Sequence, residues 1–255
     1  MALYNFGAGI LWGIPTSDAF GNAIATNVAT PVQFGVLQEV GIDIGFDTKM
    51  LYGQNQFPVA LGRGKGKIGG KAKFAQLNGQ LVNSLLFGQT MTSGITSDVY
   101  DTTGAVIPTT PFTITPTVPN SGTWSVALGV RNSNGVPMVR VASAPTTGQY
   151  SVAAGVYTFA AADVGQTVFI DYQYTATSTT AKKSTIQNLP MGYAPTFRVD
   201  LLEPFQGKTL TLTLNNCVAN KLSFSTKLDD FQVPEFDFDC FADSAGNVMT
   251  WALSE

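Results

Sequence analysis

The chain is expected to be mainly β. It should build two antiparallel sheets packed on one core, one flanking helix, and a small all-β module inserted into the main domain. Three observations predict this. Residues 32–74 alternate apolar and polar side chains over two long runs, the period of strands that bury one face. Residues 76–87 form the one segment with convincing helical spacing. Residues 91–180 lose charge and break into short strand-like runs separated by turn signals.

Residues 1–30 read as an arm with one strand from Phe6 to Ile14 and a small, polar connection over Ala23–Thr30. The first long strand runs from about Val32 to Met50. Its even positions Val32, Phe34, Val36, Val40, Ile42, Ile44 and Phe46 are apolar, and its odd positions include Glu39, Asp43 and Asp47. Gly53-Gln54-Asn55 reads as a turn. The second long strand, about Phe57–Phe74, carries Arg63, Lys65, Lys67, Lys71 and Lys73 at odd positions. Gly62, Gly64, Gly66 and Gly70 lie at even ones, a face that another backbone or helix can approach closely. Simple alternation therefore predicts two oppositely charged strand faces, as expected of a chain that joins copies of itself or lines a polar channel. Leu77, Leu81, Val82, Leu85 and Leu86 then share one helical face over Gln76–Phe87, and Gly88 is a natural stop. So short a helix must cover a sheet to be stable.

The stretch 91–180 holds only six charged residues: Asp98, Asp101, Arg131, Arg140, Asp163 and Asp171. Strands are expected at Phe112–Thr117, Thr123–Val130, Met138–Ala142, Tyr150–Ala153, Val156–Phe159 and Thr167–Thr175, with turns at Asn134-Gly135 and Thr147-Gly148. This reads as an inserted module, which leaves residues 1–90 and 181–255 as one discontinuous domain; the alternative places these strands in the main sheet. Alternation resumes at 209–214, 221–228 and 235–240, and a terminal strand is expected over Asn247–Leu253. Single-face alternation at hairpin spacing argues for antiparallel sheets on one core.

Composition narrows the function. Charged residues are 12% of the chain, about half the usual share. Either partners cover much of the surface, or Thr and Asn supply its polarity. A net charge of −3 gives no bulk attraction to nucleic acid. With no histidine, the chain builds neither a His-based triad nor a His-ligated zinc site. Cys217 and Cys240 make no disulfide framework, read first as small buried hydrophobes, and pair only if the fold brings them together. The N-terminus lacks a signal peptide's positive region and reads as a mature arm, and no apolar run is long enough to span a membrane. The product is expected to be soluble and made in the cytoplasm.

Candidate chemistry is sparse. GRGKGK at 62–67 lacks the phosphate-loop spacing and lies in a period-2 strand. Its alternating cations are suited at most to weak contact with a DNA backbone. Asp237 and Asp239 share a face with Glu235, the pattern of a charged surface rather than of two carboxyls flanking a sugar. Neither they nor Asp229 and Asp230 form a calcium loop. No catalytic residue, cofactor or metal site is expected, and the charges are assigned to cross-strand or cross-subunit pairing.

Residues 31–88, PVQFGVLQEVGIDIGFDTKMLYGQNQFPVALGRGKGKIGGKAKFAQLNGQLVNSLLFG, closely resemble tail tube proteins of long-tailed bacteriophages. So do residues 221–255, KLSFSTKLDDFQVPEFDFDCFADSAGNVMTWALSE. Residues 148–176, GQYSVAAGVYTFAAADVGQTVFIDYQYTA, are similar to a module that recurs in phage virion proteins. The resemblance implies two packed antiparallel sheets with a flanking helix, a fold shared with type VI secretion tube proteins. It implies homohexameric rings whose sheets close a β-barrel around a lumen, stacked into a tube in the virion tail through which DNA leaves without specific binding. Other tail proteins would cap the tube, and the family-level lean is to a long flexible tail without a sheath. Family lumens are usually acidic, which maps onto Glu39, Asp43 and Asp47 or onto Glu235, Asp237 and Asp239. Arg63, Lys65, Lys67, Lys71 and Lys73 would then pair with acids of a neighbouring subunit or strand. Residues 91–180 are additional to the minimal pattern and are expected on the tube exterior.

Two other classes compete. A carbohydrate-binding or adhesive β-sandwich is suggested by Trp124, Tyr150, Tyr157, Tyr172 and Tyr174 in the module. A capsid decoration protein would share the composition but sit on the head.

Overall fold

The computed structural model describes residues 7–254. The strand expected from Phe6 thus begins outside the described residues, and its described part is β1 (Ile10–Pro15). The chain continues through β2 (Val32–Gln33), β3 (Leu37–Tyr52), β4 (Pro58–Phe74) and the one-turn helix α1 (Gly79–Leu81), prolonged as a wider π-helical turn over Val82–Phe87. Next come β5 (Thr92–Ser93), β6 (Ile95–Val99), β7 (Ala105–Val106), β8 (Thr113–Ile114), β9 (Thr123–Asn132) and β10 (Val139–Arg140). They are followed by β11 (Gln149–Ala153), β12 (Val156–Phe159), β13 (Thr167–Ala176) and β14 (Lys182–Lys183). The chain ends with β15 (Phe197–Phe205), β16 (Lys208–Ser223), β17 (Glu235–Phe241) and β18 (Met249–Leu253). The protein is mainly β, with antiparallel sheets and one short helix. It divides into two compact units: Met1–Thr90 with Thr185–Glu255, and Met91–Ser184. The second boundary lies beyond residue 180 because β14 pairs back onto β5.

In the first unit the two separate sheets of the sequence reading are one eight-stranded sheet, in the order β2-β1-β15-β16-β17-β4-β3, with β18 also on β16. The cause is β16. Alternation suggested two strands, 209–214 and 221–228, but they are largely one strand of 16 residues. One edge pairs with β15, and the other pairs with β18 and then β17. A bulge between Ala219 and Lys221 bends it. A strand about 50 Å long serves both halves of the sheet. The expected long strand from Val32 is broken instead, at Gly35, whose φ of 76° is left-handed.

One face of this sheet carries the core: Leu11, Val32, Phe34, Ala72, Phe74, Phe197, Val199, Leu201, Leu214, Cys217, Phe236 and Phe238 are buried together with Leu81 and Leu85 of the helix. Phe236 lies at its centre, with ring centroids 5.4 Å from Phe34, 6.1 Å from Phe197 and 6.3 Å from Phe238. Gly70 has no Cβ because the Phe238 ring lies across it; a Cβ there would come within 2.1 Å of that ring. The helix starts three residues later than its spacing suggested, since the Asn78 side chain accepts the Gln80 N–H and fixes the N-cap. It ends at Gly88 in the left-handed conformation, as expected.

The second unit packs β11 and β12, with β8 and β10, against the sheet formed by β6, β7, β9 and β13. Tyr150, Tyr157, Tyr172 and Tyr174 are buried in its core with Val130, Val168 and Ile170. The Trp124 indole N–H donates to the Tyr157 hydroxyl at 3.2 Å. Asp101 closes its own turn by accepting the backbone N–H groups of Thr103 and Gly104, and ties that turn to β13 by accepting that of Ile170. Burial pushes its carboxyl up, but those donors and the Arg131 charge outweigh burial and hold it below the usual carboxylate range.

Phe236→Ala should destabilise the first unit by about 3–5 kcal/mol, read as a lower urea midpoint at unchanged slope. A loss below about 1 kcal/mol would show that the ring cluster is not the centre of the core.

Candidate functional site

The surface with the clearest functional character is the β3-β4 hairpin with its neighbours β17 and β16. The register places side chains in rows across these strands. Glu39 lies beside Lys73, which lies beside Glu235; Gly41 beside Lys71, Asp237 and Lys221; Asp43 beside Gly69 and Asp239; Gly45 beside Lys67. Lys71 Nζ is 2.8 Å from Glu235 Oε1, Lys221 Nζ 3.1 Å from the same oxygen, and Lys67 Nζ 3.1 Å from Asp239 Oδ1. Lys73 bonds Glu39.

This corrects the expectation of two oppositely charged faces. Glu39, Asp43, Asp47, Glu235, Asp237 and Asp239 lie on one face, and Lys67, Lys71 and Lys73 lie on it with them. Independent alternation in two strands does not say whether their charged sides coincide; the hydrogen-bond register does. The two candidate sets of lumen acids are thus one set, interleaved with lysines, and these three candidate seam lysines pair within the chain. Lys221, which the sequence reading did not single out, completes the ladder. Cross-strand matching of opposite charges was the signal that identifies it.

Arg63 departs from the basic face altogether. A bulge in β4 sets Gly64 and Lys65 together against Asp47 and inverts the alternation beyond them. Arg63 therefore opposes Thr48 on the apolar face, and its guanidinium sits 3.9 Å from the centroid of the Phe46 ring.

The apolar face of the hairpin begins in the core at Val40 and Ile42 and continues outward through Ile44, Phe46 and Met50, with Ile68 and Leu61 opposite. β17 covers the β4 edge only between Ile68 and Lys73. From Gly45 to Tyr52 and from Pro58 to Lys67 the hairpin is a two-stranded arm about 25 Å long. Its tip is apolar and open: Phe57 is 80% exposed, Val59 67% and Leu61 61%. At the opposite end of β4, the segment between β16 and β17 exposes Phe224, Leu228 and Phe231, the last two more than 90%. Sequence alternation had placed Leu228 in a strand. β3 is an edge strand along its whole length.

Other candidates do not assemble into a site. The module tyrosines proposed for sugar stacking are core residues, so no such platform exists at those positions. Asp229 and Asp230 lie in the segment between β16 and β17, and Asp230 pairs with Lys227 at 3.3 Å. Among the described residues no group of three or more His, Cys, Asp or Glu side chains is placed to hold a metal. No helix of the described residues is long and apolar enough to cross a membrane.

Hydrogen bonds from Lys71 and Lys221 hold Glu235 below the usual carboxylate range, against the effect of burial. Its contribution to stability is then present above the unfolded glutamate value and is lost as pH falls through the lower folded value. Glu235→Gln should lower the thermal midpoint near pH 7, and the gap to wild type should close as pH falls through the lowered folded value of Glu235. A gap that persists in acid would mean the charge is not its source. No protein-family model matches this chain, and no curated protein matches it.

Proposed function

We propose that this chain is a structural subunit that polymerises into a hollow tube, the tail tube of a long-tailed bacteriophage. The observation that carries the proposal is the projecting arm. A two-stranded ribbon with apolar groups on its surface is at best marginally stable in water. Its exposed Phe57, Val59 and Leu61 gain their stabilisation only when another surface covers them.

The arrangement favours an open assembly over a closed dimer. The arm tip and the Phe224–Phe231 segment lie at opposite ends of the same sheet, which spans about 55 Å along the 17 residues of β4. Two different apolar patches at opposite ends make a head-to-tail contact, the kind that propagates. The free β3 edge offers the lateral contact, since joining edges around a ring removes unpaired backbone groups. The charged face is the side suited to line a lumen. Carboxylates neutralise its lysines in place, and this near-balance gives passing DNA no fixed cationic track. Six-fold rings, the virion location and the passage of DNA come from the family resemblance. Of the aromatics that suggest the glycan-binding alternative, Tyr150, Tyr157, Tyr172 and Tyr174 are buried and Trp124 is partly buried, which favours the tube reading over it; a capsid decoration role differs in location.

Negative-stain microscopy of the purified protein should show stacked six-fold rings, and labelling should place the protein on the tail. A monodisperse monomer at every concentration, with no ring in the virion, or a label on the head, contradicts the proposal. The double variant Phe57→Ser, Leu61→Ser should change subunit stability by less than about 1 kcal/mol and abolish tubes. Normal tubes from that variant would remove the arm from the interface.

A further inference from the structure

Cys217 of β16 and Cys240 of β17 are directly opposed in the antiparallel register. Opposed residues in such a pair have Cα atoms about 4.5–5.5 Å apart, inside the span that a disulfide bridges. Their Sγ atoms are 3.1 Å apart. The two thiols differ in access. Cys217 is fully buried in the core. Cys240 is half-buried and lines an open groove of about 600 Å³ with Ile44, Phe46, Ile68, Phe241 and Met249.

We propose that Cys217 and Cys240 form a thiol–disulfide exchange site, in which Cys240 attacks a small-molecule disulfide of the glutathione class and Cys217 resolves the product. The Cys240 thiolate attacks one sulfur of the oxidised tripeptide, forms a mixed disulfide and releases one glutathione thiolate. The released glutathione thiolate takes the proton of Cys217, whose sulfur attacks the Cys240 sulfur and releases the second glutathione thiolate, which takes up the proton that Cys240 had given to solvent. Two protein thiols are oxidised to one disulfide, and one external disulfide is reduced to two thiols.

The order follows from the surroundings. The hydrogen bond between the sulfurs and burial push Cys217 up, whereas the hydrogen bond from Cys217 draws Cys240 down. Cys240 is also the thiol that the groove exposes. The bond formed would tie β16 to β17 in the middle of the sheet, across a separation of 23 residues. This inference concerns the single chain and does not rest on the tube reading.

The test exposes the reduced full-length protein to glutathione disulfide, alkylates the remaining thiols after denaturation, and reads intact mass and peptide map. Wild type should lose the mass of two hydrogens, resist alkylation and yield one Cys217–Cys240 cross-linked peptide. Cys217→Ser should trap one glutathione on Cys240. Cys240→Ser should keep a free, unmodified Cys217. Wild type that retains two alkylatable thiols, or that accumulates a stable glutathione adduct, overturns the proposal. So does a Cys240→Ser protein that takes glutathione on Cys217. If either variant fails to fold, the wild-type mass decides alone.

Discussion

The unequal pairing of β4 governs the rest of the first unit. On one side β3 follows it for nearly its whole length. On the other side β17 pairs with it only from Ile68 to Lys73. Where three strands run side by side, the apolar face has a core to cover it and the charged face is knit by cross-strand pairs. Where β17 stops, the apolar face continues, first over an open groove shared with Phe241 and Met249 and then, past the β4 bulge, with no third strand beside the hairpin. The sheet thus passes from a buried wall to an unsupported arm within a single pair of strands. The exposure of Phe46, Met50 and Leu61 is the continuation of a pattern whose inner members, Val40, Ile42 and Ala72, are part of the core or packed against it.

The charged face obeys the same register. Exposed ion pairs contribute little each, but a ladder with Glu39, Lys73 and Glu235 in one row and Lys71, Asp237 and Lys221 in the next opposes any slip of one strand past another. A one-residue slip would bring Lys and acid rows onto the apolar side. The charges thus act mainly on the uniqueness of the pairing. They also leave a polar face that is costly to bury against an apolar partner, which separates it physically from the arm as a contact surface.

Much of this was legible in the sequence. The alternation in 40–46, the helical face of Leu81 and Leu85, the Gly88 stop and the change of composition near residue 91 each have a direct structural counterpart. What was not legible was relational. Alternation places Lys71 opposite its own strand neighbours, but only pairing places it beside Glu235. The bulge that turns Arg63 onto Phe46 depends on how Gly64 and Lys65 meet Asp47, which no single strand records. The union of 209–214 with 221–223 into β16 was hidden by two bulges, between Leu214 and Cys217 and between Ala219 and Lys221, which shift the alternation of the stretch between them. The tyrosines of the module are equally consistent with a core and a binding platform until their burial is known. The openness of the arm depends on where a strand distant in sequence comes to an end.

The central claim is that a second copy covers the arm. Hydrogen–deuterium exchange over residues 45–67, compared between free subunit and assembled protein at equal pH and temperature, tests it most directly. Amides there are expected to exchange quickly in the free subunit and to gain strong protection on assembly, while those of β15 and β17 change little. Equal exchange of the arm in both states, or an arm already as protected as β17 in the free subunit, would contradict the account.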